Sequence, residues 1–234
     1  GVAGHASMPK LGDNALLKLA PVLSALAPGM GAYDATEVPL AMIAALGEDA
    51  SDPALALERL SSQTPILRFL LEPLLAVTMT PTMIHASDKM NVIPAHAHVK
   101  VDTRVPPGLG ADVALQRMRE LLGDAAEGIE IEFTEEVFGY ASPARSPLMD
   151  AIDSWITTHD PGTRTVPTLL AGYSDSSYFR AAFPDLIAYG FFPHRHQTML
   201  ETAPLIHNAD ERIDVRDLGY AARFYSDIAA EMLG

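Results

Sequence analysis

The chain has 234 residues, 48% hydrophobic and 20% charged, which is enough for one large domain or two small ones with real cores and is unlike a disordered or fibrous sequence. Its 16 Lys and Arg face 30 Asp and Glu, and the formal charge of -14 argues against nucleic acid and anionic membrane surfaces, leaving a small molecule or peptide as the fitting partner. With no cysteine there is neither a disulfide framework nor a thiolate metal site, so any metal must be held by imidazole and carboxylate.

Residues 1–9 read as the tail of a strand that ends at His5 and Pro9. Asp13-Asn14 then offer an N-cap to a helix over Ala15 to Leu26, with Leu16, Leu19, Ala20, Leu23 and Leu26 on one face, and Pro28-Gly29 ends it. From about 28 to 76 the chain is rich in Ala and Leu, and prolines at 39, 53, 65 and 73 predict a helical insertion cut into short pieces. The most apolar run, Ile66 to Met79, is interrupted by Arg68, Glu72 and Pro73 and falls short of the roughly 20 apolar residues of a membrane span, so it reads as buried helix. The compartment is left open, with the cytoplasm favoured. No signal peptide is visible, but the chain opens at Gly1 inside a strand, which leaves room for a leader.

Val77 to Ala86 alternates weakly as a strand, and Met79, Met83 and Met90 fit either gap-filling core or the lining of a pocket. Asn91 follows, at the entrance of a strand whose outward positions are His96, His98, Lys100, Asp102 and Arg104, and Pro106-Pro107-Gly108 stop it. A helix over Val113 to Leu122 and a strand over Ile129 to Phe138 complete the order strand, helix, strand, strand, helix, strand, an open-faced α+β sandwich. Residues 139–143 read as a linker and Ser146-Pro147 opens a helix from Leu148 to Thr157. Strands over Thr165 to Leu170 and Leu186 to Phe191, a short helix Ser176 to Ala182 and a helix Val215 to Leu233 capped by Asp214 then suggest half of an α/β domain.

Four stretches carry a family likeness: Gly4-His5-Ala6-Ser7-Met8-Pro9 with Asp13-Asn14-Ala15; Asn91-Val92-Ile93-Pro94 with a strand ending in Asp102-Thr103-Arg104; Ala171-Gly172-Tyr173-Ser174-Asp175; and His207-Asn208-Ala209-Asp210-Glu211. In this order and spacing the chain resembles the M20 metallopeptidases, the co-catalytic zinc group that includes aminoacylase, acetylornithine deacetylase and succinyl-diaminopimelate desuccinylase, with an insertion like that of the carboxypeptidase-like members. The resemblance implies a ferredoxin-like lid and dimerisation domain over 1–138 and the C-terminal part of an α/β zinc-peptidase catalytic domain over 139–234. It implies a peptide or N-acyl amino acid substrate, two zinc ions per site (cobalt or manganese being alternatives), and a homodimer through the lid.

Residue by residue, the resemblance makes His207 a zinc ligand, with Glu211 either supporting it or serving as a helix-start charge, and makes His5 the lid histidine that reaches a partner subunit's site and donates to the oxyanion. Asn91 and Arg104 match substrate-contacting lid residues, and Gly172, Tyr173 and Ser174 line the end that takes the substrate carboxylate. The remaining ligands and the general base belong, in the family, to a segment preceding the lid that opens with a His-x-Asp motif, which nothing in these residues matches. The chain alone is therefore expected to be inactive. On residue type alone, His5 is equally a turn histidine, Arg104 a partner of Asp102 or Glu132, and the pairs His96/His98 and His194/His196 solvated imidazoles. Two other function classes stay open: a serine hydrolase using Ser174, His207 and Asp185, and a non-catalytic dimerisation or binding module.

Overall fold

The computed structural model describes residues 1–134, 139–170, 172, 174–202 and 205–234, the side chain of Leu200 excepted. It divides into two compact units, Gly1–Ala141 with Thr168–Ser177, and Ser142–Pro167 with Tyr178–Gly234. In the first, β1 (Gly4–His5), α1 (Ala15–Leu26), β2 (Met30–Tyr33), α2 (Glu37–Ala45), α3 (Pro53–Gln63), α4 (Ile66–Leu75), β3 (Ala76–His85), β4 (Val92–Ile93), β5 (His98–Arg104) and α5 (Ala111–Leu122) follow in order. The second contains α6 (Pro147–His159), α8 (Met199–Thr202) and α9 (Val215–Leu233), while α7 (Ser176–Ala182) spans the division.

A three-stranded antiparallel sheet, in the order β2-β3-β5, carries the first unit. Leu19, Val22 and Leu26 of α1 and Ala114, Met118 and Leu122 of α5 close over Val77 and Met79 of β3 to make its core. The alternation predicted for β5 is present, with His98, Lys100, Asp102 and Arg104 exposed and Val99, Val101 and Thr103 turned inward. On α1 the predicted face is rotated: Ala15, Leu19, Val22 and Leu26 are buried, whereas Leu16 and Ala20 are exposed. The spacing of 15, 19, 22 and 26 follows one helical stripe more closely than the leucines alone do.

The stretch expected to be wholly helical begins with a strand instead. Gly29, at φ +78, turns the chain out of α1, and β2 pairs with the start of β3, so the helical part is α2 to α4. Arg117 of α5 grips Asp34, just past β2, with two hydrogen bonds of 2.6 and 2.7 Å. The run Ile66 to Met79 is also not one buried helix. It changes to strand at Ala76, and within α4 only Leu71, Leu74 and Leu75 are buried while Phe69 is 75% exposed. Pro73 does not cut α4, which runs through it to Leu75.

Pro81 breaks the ladder elsewhere. β2 pairs only as far as Ala76 and Thr78, so from Pro81 to His85 β3 has β5 as its one neighbour among the described residues, with a register shift between Pro81 and Met83. Of the three methionines, Met79 is core, whereas Met83 and Met90 are exposed. The strand expected over Ile129 to Phe138 forms no ladder at 129–134, where Ile129 and Ile131 only lean on the core, and 135–138 lie outside the described residues.

In the second unit, α6 is capped by the Ser146 hydroxyl, which accepts the Met149 N–H, and α9 by the Asp214 carboxylate, which accepts the Arg216 N–H. Ala151, Ile152, Trp155 and Ile156 pack against Phe224 and Ile228. Trp155 meets Phe224 edge-on at 5.1 Å, stacks on His159 at 3.9 Å and donates its indole N–H to Asp227 at 2.9 Å. Trp155→Ala is expected to lose about 3–5 kcal/mol of this unit's stability, read by urea unfolding followed by circular dichroism; an unchanged midpoint contradicts the packing. The strands expected over 165–170 and 186–191 are not formed. A strand needs a neighbour for its N–H and C=O groups, and among the described residues no segment pairs with either stretch. Among the described residues no helix is long and apolar enough to cross a membrane.

Candidate active-site residues on two units

His5 and Asn91 are brought together by a short ladder. Gly4 pairs with Ile93 and His5 with Val92, and the Ala6 N–H donates to the Asn91 carbonyl at 3.0 Å. Gly12 permits this approach, since a Cβ there would meet the Ile93 side chain and the Val2 carbonyl oxygen, each at 3.0 Å. The His5 ring is exposed and its Nδ1 accepts the Ser7 N–H at 3.2 Å, with the Ser7 hydroxyl 2.7 Å away. A backbone N–H can only donate, so this bond is made by the neutral tautomer that holds its Nδ1 lone pair toward Ser7 and its proton on Nε2. Beside this junction is a groove of about 460 Å³, lined by Ala6, Pro9, Leu16, Leu17, Met90 and Val92 among others, with Lys89 as its cation.

Arg104 is not gathered at this junction. It pairs with Thr78 at the far end of β5, about 20 Å along the strand from His98. Its guanidinium is engaged by Asp102 through two bonds of 2.6 and 2.9 Å, which raises its pKa further. This pair uses two of the guanidinium's five N–H donors. Gly172 and Ser174 lie exposed ahead of α7, the Ser174 oxygen atoms accepting the N–H groups of Ser176 and Ser177. Tyr173 lies outside the described residues. Because no strand runs into this turn at 165–170, Ser174 does not sit on the strand-to-helix elbow that a serine nucleophile of the α/β-hydrolase type requires.

His207 is exposed and adopts φ +63, the only positive φ among the described non-glycine residues. Its N–H donates to the Glu211 carboxylate at 3.2 Å, so Glu211 shapes the turn that carries it. Among the described residues no group of three or more His, Asp or Glu comes together to hold a metal, and His207 contributes one imidazole. The residues present therefore do not by themselves fit a two-metal site. His96 and His98 are exposed, as expected, with His98 facing His85 across the sheet at 5.5 Å between rings. His194 differs from expectation: its Nδ1 is buried without a hydrogen-bond partner, 4.0 Å from Asp217.

Asp217 went unnoticed in the pattern. It is fully buried, and its carboxylate accepts the backbone N–H groups of Arg195, His196 and Gln197 at 2.8, 2.9 and 2.9 Å. Burial pushes its pKa up, but these three donors, with His196, outweigh that and hold it below the usual carboxylate value. The available signal was an acid in the stripe Asp217, Ala221, Phe224 and Ile228, where a helix buries apolar side chains.

The family described as a peptidase dimerisation domain, of the M20 group, matches residues 1–130. A protein of Dictyostelium discoideum named "Probable carboxypeptidase S-like 2" is 24% identical over 235 aligned positions, covering 96% of this chain and 43% of that protein. The chain thus spans less than half the length of the curated relative it matches. No solved structure matches.

Proposed function

Because the chain belongs to the M20 metallopeptidase family and carries its dimerisation part, we propose that it supplies the lid, over 1–138, and the C-terminal part of the catalytic domain, over 139–234, of a zinc-dependent hydrolase of amide bonds. The substrate is a peptide or an N-acyl amino acid, and cobalt or manganese are alternative metals. The finer lid fold we infer is a ferredoxin-like open-faced sandwich. His207 ligates one metal ion, while the other ligands and the general base come from sequence outside these residues. Asn91 and Arg104 contact substrate, and Gly172, Tyr173 and Ser174 flank its carboxylate end. The enzyme works as a homodimer joined through the lid.

The observation that carries this reading is the His5–Asn91 junction. With Nδ1 turned to the Ser7 N–H, the Nε2–H is free to donate to the oxygen that gains charge as an amide carbonyl becomes tetrahedral. Such a donor acts most strongly in the transition state, and Asn91, one strand away, offers a carboxamide for the same substrate. Metal removal tests the class. In a protein with the complete donor set, dialysis against a chelator should abolish hydrolysis of N-acyl amino acids and added zinc should restore it, while a serine-directed phosphonate leaves turnover unchanged. Phosphonate inhibition with chelator resistance would overturn the metal reading. The 234-residue chain alone should show no turnover; chelator-sensitive hydrolysis by it would mean the donor set is complete within it.

A further inference from the structure

We propose that Asp217 and Gln197 form a clamp at the base of the loop 198–213 and thereby position His207; the role of the clamp rests on the reading of His207 as a metal ligand. The two ends of this loop are tied by one side chain, since the Gln197 Oε1 accepts the Asp214 N–H at 2.7 Å. Gln197 is in turn held by Asp217, whose carboxylate receives N–H groups from three consecutive residues, Arg195, His196 and Gln197.

The approach to the loop is fixed from α6 as well. The Arg195 guanidinium bonds Asp160 at 2.9 Å and the His159 carbonyl, and lies over the Tyr220 ring at 4.3 Å. Asp214 starts α9, so the segment bearing His207 leaves and returns at two points anchored to the α6–α9 pair.

The chemistry argues for positioning over bulk stability. An apolar side chain at 217 would continue the buried stripe of α9 without the cost of desolvating a charge. The chain keeps an ionised group there, and the hydrogen bonds of its carboxylate go to the loop base. Charge-assisted bonds to backbone N–H groups also resist rotation, which is what a loop holding a ligand needs. Sequence-local bonds then shape the interior: Glu201 caps α8 through the Thr198 N–H at 2.7 Å, and Glu211 holds the His207 N–H.

Hydrogen exchange on the 234-residue chain tests the clamp without any metal. Asp217→Asn should speed exchange across 195–213 by about 10-fold or more while α6 keeps its protection. Unchanged exchange, or equal loss in α6, overturns the clamp. If Asp217→Asn fails to fold, Gln197→Ala decides, because it cuts only the tie to Asp214: faster exchange in 198–213 supports the inference and unchanged exchange overturns it. In the metal-loaded longer enzyme either variant should weaken zinc binding about 10- to 100-fold, as loss of a ligand's support does, with little change in KM. Wild-type zinc affinity in these variants, where His207→Ala loses metal, overturns the positioning role. Full metal retention by His207→Ala would instead sink the ligand reading and leave the exchange result standing.

Discussion

His207→Ala, made in a protein that carries the full donor set, is expected to lose one metal ion and at least about 100-fold in turnover, since even residues that merely support a ligand cost 10- to 100-fold. Alanine removes the imidazole and nothing else of consequence, because the ring is exposed and the residue's observed tie to Glu211 is made by its backbone N–H. The strained φ of +63 tells in the same direction: a β-carbon is tolerated there at some cost, and such positions cluster where a side chain must be aimed. His194→Ala and His196→Ala are the controls. His196 serves Asp217 through a backbone N–H that alanine keeps, and the buried His194 Nδ1 makes no hydrogen bond that alanine would remove. Metal analysis with kcat on the three variants separates the cases. Equal metal loss in all of them would mean that His207 is not the ligand.

How much of this was legible in the residues depended on whether the signal was local. α9 has the bounds that its cap and periodicity predict, and β5 has its predicted faces, because caps and alternation are properties of adjacent residues. β2 was not legible: Met30-Gly31-Ala32-Tyr33 has no alternation and becomes strand only because β3 lies beside it. The reverse holds at 165–170 and 186–191, where a strand-like pattern forms no strand. Such a pattern says that a segment can be buried, not that a neighbour exists to share its ladder.

The site divides in the same way. The short ladder that brings His5 near Asn91 joins residues far apart in sequence, and only the family resemblance points to both. Arg104 was flagged with its alternative partner Asp102, and the structure has that pair formed. Asp217 was readable in principle as a misplaced charge on a buried stripe, but no residue near it in sequence reveals that its partners are the N–H groups of 195 to 197.

Mixing full-length His5→Ala with full-length His207→Ala is expected to restore activity to roughly a quarter of wild type, although each variant alone is nearly inactive. In a dimer whose lid histidine serves the partner's site, half of the randomly mixed dimers are hybrids, and each hybrid has one of its two sites supplied with both native groups. Three features of the lid favour such a dimer. The dimerisation family covers the whole stretch that carries His5 and Asn91. Among the described residues β3 is unpaired on one side from Pro81 to His85, with Met83 and Ile84 exposed, and an open edge is a template for a second copy. The groove beside His5 has Leu17 69% exposed and Met90 100% exposed on its walls, an apolar surface that association would cover. The helices α2 to α4 oppose this only if they shield that edge. The rescue must depend on subunit exchange, so it should appear after the two proteins are dissociated and reassembled together and be absent when each is reassembled separately. Hybrid dimers that form without regaining turnover, or a protein that stays monomeric in light scattering at micromolar concentration, would confine His5 to its turn beside Ser7 and take the oxyanion donor out of the partner's lid.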